Sequence, residues 1–300
     1  MKVRLLALVS AFALSLLSAL PASATSEGHG YLALGDSVAF GTDPNRDARV
    51  ASNMVGYPDY VASALNVEEV NSSCPGEATG GFISLGGLDN VCRPYRFIFN
   101  LPLHVSYSGT QLAFAESYLL ANPGTRLVTI DLGANDFFAL QDHICHFVPA
   151  CIAAGTPTIL ANMQTNLETI FKDLRATGYS GLIVALTYYS LQYPDTSGAQ
   201  LLNGPMIAAA AKYGVLIADG IAPFASAAAA PANPPGAAGT TCAAGLTIVD
   251  LDLNGHPPTP NCNVHPTQLG HQLLAESILD TIAASCPAHS LQGCLNRSRG

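Results

Sequence analysis

Short aliphatic runs alternate along this chain with longer stretches whose apolar residues recur every three or four positions. The runs Tyr31–Leu34, Val67–Asn71, Arg126–Leu132, Gly181–Thr187 and Val215–Ala218 predict strands. Helices are predicted at Tyr57–Leu65, Ser108–Ala121, Thr158–Thr177, Met206–Lys212 and Thr267–Ala284. Leu112, Ala115, Leu119 and Leu120 mark one helical face, and Asn122-Pro123-Gly124 stops that helix. In the last helix the predicted apolar face is Leu269, Leu273, Leu274, Ile278 and Ile282. Strands alternating with helices argue for an α/β fold, a parallel sheet covered on both sides. Two stretches interrupt the alternation. Phe137–Pro157 is apolar, and Ala225–Thr241 is rich in Ala, Pro and Gly. Both read as excursions from strand ends within one domain, on the rim where open α/β sheets place ligands.

The first 24 residues stand outside this pattern. Lys2 and Arg4 precede the apolar stretch Leu5–Leu20, and Ala22-Ser23-Ala24 is a small-x-small cleavage signal. Residues 1–24 are therefore expected to be a signal peptide and residues 25–286 one domain, with 287–300 a tail. The protein is expected to be secreted and monomeric, with no membrane span. All eight Cys lie after the signal, and an even count in an exported chain favours disulfides over thiols or metal. Pairing of sequence neighbours is expected: Cys74–Cys92, Cys145–Cys151, Cys242–Cys262 and Cys286–Cys294. His143 and His146 beside Cys145 and Cys151 resemble a metal cluster, but a disulfide loop is the favoured reading.

Acidic residues number 21 against 12 basic ones, and loss of Lys2 and Arg4 moves the net charge from −9 to −11. No basic stripe is present, which disfavours nucleic acid and anionic membrane surfaces as partners. Charged residues make up only 11% of the chain and hydrophobic ones 49%, a balance suited to neutral or greasy substrates.

Four motifs fall at strand ends or just before the last helix. They are Gly35-Asp36-Ser37, Asn71-Ser72-Ser73-Cys74-Pro75-Gly76, Gly133-Ala134-Asn135-Asp136 and Asn263-Val264-His265-Pro266-Thr267. A tight turn after a buried strand would deliver Ser37 to a helix start, where free N–H groups can stabilise an oxyanion. Ser is a weak nucleophile at neutral pH and needs an imidazole within reach, which His265 supplies. Asp36 reads as a turn-former rather than a catalytic acid, His271 as a solvated residue of the last helix, and Gly86-Gly87 implies no nucleotide.

With these motifs in this order, the chain resembles the SGNH (GDSL-type) hydrolases from Tyr31 to about Ala284. The resemblance implies a flavodoxin-like three-layer α/β/α sandwich with a central parallel sheet. It implies Ser37 as nucleophile, His265 as general base, and an oxyanion hole of the Ser37 and Gly76 N–H groups and the Asn135 amide. It implies acyl transfer from a small-molecule or lipid ester, lipase or esterase in type, without cofactor or metal. Carbohydrate acetylesterase and phospholipase are same-fold alternatives, and a non-catalytic binding protein is the alternative of another class. One position departs from the family, which usually carries Asp three residues before the His; here Cys262 stands there, with Asn263 next. Neither is a carboxylate, so a Ser–His dyad is expected, with a backbone carbonyl near Cys262 orienting His265. Asp250 and Asp252 are the alternative sources of a carboxylate.

Overall fold

A computed structural model describes residues 30–229, 241–251 and 262–286. The signal segment, Asp252, most of the Ala225–Thr241 excursion and the Cys286–Cys294 pairing fall outside the described residues. Five parallel strands form the sheet: β1 (Tyr31–Gly35), β2 (Glu69–Asn71), β3 (Leu127–Asp131), β4 (Leu182–Leu186) and β5 (Leu216–Ala218), in the order β2-β1-β3-β4-β5. Two short antiparallel strands, β6 (Thr247–Val249) and β7 (Cys262–Pro266), pair separately. The helices are α1 (Ser37–Phe40), α2 (Tyr57–Leu65), α3 (Thr79–Ile83), α4 (Gln111–Ala121), α5 (Ala134–Ala139), α6 (Pro149–Ala176), α7 (Ser197–Ala210), α8 (Ile221–Ala228) and α9 (Gln268–Ser285).

Every residue of β1 and β3 is buried, as expected of strands with helices on both faces. The two-residue side-chain period splits them between two cores. Tyr31, Ala33, Leu127 and Leu186 face α2, α8 and α9, meeting Tyr57, Val61, Phe224, Leu274 and Ile278. Leu32, Leu34, Val128 and Ile130 face the other way, against Leu112 and Leu119 of α4 and Met163, Leu167 and Phe171 of α6. The three-layer sandwich and the parallel sheet are as the sequence predicts.

Helix starts follow local chemistry. Thr110 Oγ1 accepts from the Ala113 N–H at 3.2 Å ahead of α4, and Thr267 Oγ1 accepts from the Gly270 N–H at 3.3 Å ahead of α9. Three differences from the sequence reading stand out. The long helix α6 begins at Pro149, nine residues before the predicted Thr158, so much of the Phe137–Pro157 excursion is helical. Proline at its first position lacks only an N–H that would be unpaired there anyway. Ala225–Ala228 closes α8 and is no part of a loop. His271, expected in solvent, is buried, while Leu269 is 47% exposed. The buried stripe of α9 runs His271, Leu274, Ala275, Ile278 and Ile282, which is the helical period through His271.

The strand order reverses between β1 and β3, because the chain steps outward from β1 to β2 and returns on the other side. Loops leaving the carboxyl ends of such neighbours diverge and open a crevice. Ser37 follows β1 and Asn135 follows β3, so these two residues flank it.

Candidate active site

Gly35 ends β1 with φ at +138°, and a Cβ there would fall 2.4 Å from the Asp131 carbonyl oxygen. Only glycine fits where β1 and β3 come this close. Asp36 then caps α1, its Oδ1 accepting from the Val38 N–H at 2.9 Å. That cap makes Ser37 the first residue of α1, half-buried, at a position whose backbone N–H has no acceptor within the helix. The turn-forming role read for Asp36 is present, together with a second one. Its Oδ2 accepts from the Asn135 amide at 3.0 Å and from the Tyr188 hydroxyl at 2.6 Å.

Asn135 sits in the first turn of α5 and is held from both ends of its amide. Nδ2 donates to Asp36, and Oδ1 accepts from Asn90 Nδ2 at 3.0 Å. Since a carboxylate only accepts, the amide must turn its nitrogen toward Asp36 and Ser37. One proton of that nitrogen is used by Asp36, and the other has no acceptor among the described residues. Asp136 braces the same turn: its carboxylate accepts from Thr79 N at 2.8 Å and Thr79 Oγ1 at 2.6 Å. Burial pushes its pKa up to about 6 against those two bonds.

Gly76 is brought to the same end of the sheet by the backbone. The Cys74 N–H donates to the Gly35 carbonyl at 3.1 Å, which ties the second motif to the end of β1. Gly76 has φ at +79°, and a Cβ would lie 2.5 Å from the Val91 side chain. Its carbonyl accepts from the Asn90 and Val91 N–H groups. The Cys74–Cys92 disulfide closes this turn, and its Cα atoms stand 5.6 Å apart.

Beneath the turn lies a buried pair of carboxyls, Asp36 and Asp131. Burial raises both pKa values, and the Asp36 charge adds to the upward push on Asp131. Tyr57 donates to Asp131 Oδ1 at 3.0 Å.

His265 lies on β7, which touches α1 and α9. The next residue back, Val264, accepts from the Tyr189 hydroxyl through its carbonyl, which anchors β7 to the loop after β4. Burial lowers the His265 pKa to about 4, against the upward pull of Asp250 and Asp43. At neutral pH the ring is therefore uncharged, as a general base must be. No hydrogen bond joins Ser37 Oγ to His265 Nε2 among the described residues. Such contacts commonly tighten only when substrate binds.

The partner of His265 Nδ1 corrects the sequence expectation. It is the side-chain oxygen of Asn263, at 2.5 Å, rather than the backbone carbonyl of Cys262. The amide of Asn263 in turn donates to Asp250 Oδ1 at 2.9 Å. Asp250, weighed above as a direct partner of the histidine, therefore reaches it through Asn263. Residues two apart on a strand share a face, so Asn263 was visible in the sequence as a neighbour of His265. Neither a main-chain carbonyl nor a carboxylate meets the ring nitrogen directly; a side-chain amide does.

Ser37, Asn135 and Val264 line one cavity of about 480 Å³. Phe137, Phe138, Leu201 and Leu202 supply much of its apolar wall. Asn90 and Tyr188, which hold Asn135 and Asp36, went unnoticed in the sequence because nothing local distinguishes them. Cys145–Cys151 and Cys242–Cys262 are disulfides as paired above, so the sulfurs beside His143 and His146 are joined to each other. The same holds for Cys74, Glu77 and Cys92, the one group among the described residues close enough together for a metal ion.

The GDSL-like Lipase/Acylhydrolase family profile matches residues 33–273. No curated protein sequence matches the chain. Among solved structures, phospholipase A1 from Streptomyces albidoflavus is similar at 20% identity and a TM-score of 0.51, covering 84% of this chain and 99% of its own. An extracellular lipase from Streptomyces rimosus is similar at 19% identity and a TM-score of 0.52, covering 84% and 98%. At such identity these likenesses speak for the fold.

Proposed function

The chain belongs to the GDSL-like lipase/acylhydrolase family, and from that premise we propose that it is a secreted serine hydrolase of carboxylic acyl esters. The observation that carries the reading is Ser37, at the start of α1, opening beside the Asn135 amide onto an apolar cavity of about 480 Å³. In the proposed first step Ser37 Oγ bonds to the ester carbonyl carbon and its proton passes to His265 Nε2. The carbonyl π pair moves onto oxygen, where the Ser37 and Gly76 N–H groups and Asn135 Nδ2 receive it. The C–O bond to the alcohol then breaks, and His265 returns the proton to the leaving oxygen. Water repeats the sequence on the acyl-enzyme and frees the acid and Ser37.

The cavity favours an acyl chain longer than acetyl. If each carbon fills about the ~30 Å³ share of a water molecule, an acetyl group would leave most of the space empty. Phe137 and Phe138, from the apolar segment after Asn135, and Leu201 and Leu202 on α7 would enclose the chain. Export rests on the signal pattern of residues 1–24 and accords with the three disulfides.

Purified protein and its Ser37→Ala variant, treated with a fluorophosphonate and with nitrophenyl esters of increasing chain length, test the reading. Labelling and turnover confined to the wild type are expected, with a preference beyond four carbons. Equal labelling of both proteins refutes it, and a peak at acetate would favour the acetylesterase alternative.

A further inference from the structure

We propose that Asn263 is the positioning residue of His265 and that Asp250 acts through it, so that an amide stands between the base and its carboxylate. The inference rests on the reading of His265 as the general base given above.

The atoms fix the direction of every bond in this chain. Asp250 Oδ1 lies 2.9 Å from Asn263 Nδ2 and, as a carboxylate, only accepts. Asn263 must therefore turn its NH₂ to Asp250 and its oxygen to the histidine. A second bond agrees, because the His265 backbone N–H donates to the same Oδ1 at 2.9 Å. An amide oxygen also only accepts, so His265 Nδ1, at 2.5 Å, must carry the ring proton. That tautomer leaves Nε2 with a lone pair for the Ser37 proton. The choice of which ring nitrogen is the base is thus made at Asp250, two bonds away.

When His265 becomes cationic, Asn263 stays neutral and takes no proton. It relays the field of the Asp250 charge through a polarised amide, which stabilises the imidazolium less than direct contact would. The pairing of β6 with β7 brings the segment after β6 alongside Asn263, and the Cys242–Cys262 disulfide holds the start of β7. Among the described residues the other ionisable groups facing His265 are Asp43, after α1, and His271 of α9.

The test uses kcat, KM and the pH profile of full-length Asn263→Ala, Asp250→Asn and the double variant Asn263→Asp/Asp250→Asn. Asn263→Ala is expected to lower kcat by on the order of 10²-fold with KM nearly unchanged. Its acid limb should move to lower pH, because the imidazolium loses its acceptor. Asp250→Asn should show a smaller loss and a shift in the same direction. The double variant sets a carboxylate on Nδ1 and leaves an amide behind it, so it should recover kcat and move the acid limb above that of the wild type. A merely structural role would produce no such recovery. Asn263→Ala keeping kcat within about threefold, or a double variant no better than Asn263→Ala, overturns the relay. Activity surviving in His265→Ala would instead overturn the underlying reading of the base.

Discussion

The Asn135 amide donates to the Asp36 carboxylate at 3.0 Å, so the cap of the Ser37 helix and the third motif are one hydrogen-bonded unit. Asp36 thus holds Ser37 through α1 and Asn135 through its side chain. Asn135→Ala should lower kcat by about 10²–10³-fold while KM moves little, since the amide is required most when charge develops on oxygen. Asn90→Ala leaves the amide in place but frees its oxygen, and a loss nearer tenfold is expected. Steady-state kinetics on an acyl nitrophenyl ester separate the two. A change confined to KM would make Asn135 a ground-state binding group.

The pH dependence follows from the burial of His265. Its folded pKa is lowered to about 4, and the base must be neutral to act. Activity should accordingly persist well below the ordinary histidine value and fall only as pH approaches the lowered one. A plot of kcat/KM against pH with an acid limb at 6.5 or above would contradict this. Stability takes the same sign. His265 and His271, lowered to about 4 and about 3, stay neutral while the unfolded chain protonates, so their contribution is lost as pH falls below the unfolded value of 6.5.

Glu77 works in the opposite direction. It is buried beside the Cys74–Cys92 disulfide, and burial together with the Asp89 charge pushes its pKa up to about 8. Between the unfolded value of 4.5 and this raised one, the unfolded chain releases a proton that the folded protein retains. Its stabilising contribution is present below 4.5 and declines as pH rises through that window. Glu77→Gln should therefore gain in melting temperature relative to wild type between pH 5 and about pH 8. A gap that stays constant with pH would show that Glu77 is ionised in the fold.

The Cys74–Cys92 bond spans 18 residues and encloses Gly76. Replacing both cysteines by serine should cost about 3 kcal/mol of unfolding free energy. It should also lower kcat, because the Gly76 turn is held between this bond and the contact of Cys74 with β1. Denaturant titration and kinetics on the same sample check both effects. Unchanged kcat in a destabilised variant would remove Gly76 from the oxyanion hole.

Filling the cavity should shorten the preferred chain. Leu202→Trp introduces an indole into the wall of the space that Ser37 shares. Turnover of long acyl esters should fall severalfold more than that of butyrate, with fluorophosphonate labelling of Ser37 intact. Equal losses on all chain lengths would place the acyl group elsewhere.

Much of this protein was determined by the order of its residues alone. The five strands of the parallel sheet, the starts of α2 and α9, the Gly35-Asp36-Ser37 turn and the three described disulfides are local matters of hydropathy period, capping and loop length, whereas α6 and α7 each begin nine residues before the predicted Thr158 and Met206. Even the burial of His271 is implicit in the helical period of α9, although the apolar stripe drawn through Leu269 concealed it. Only the tertiary structure could decide the partners of the polar groups. Asn90 meets Asn135 across 45 residues and Tyr188 meets Asp36 across 152. A hydrogen bond has no sequence signature when its two ends are brought together by strand order. Asn263 lies between these cases. Its place two residues before His265 is local, but which end of its amide faces the ring depends on Asp250, and that contact forms only when β6 and β7 pair.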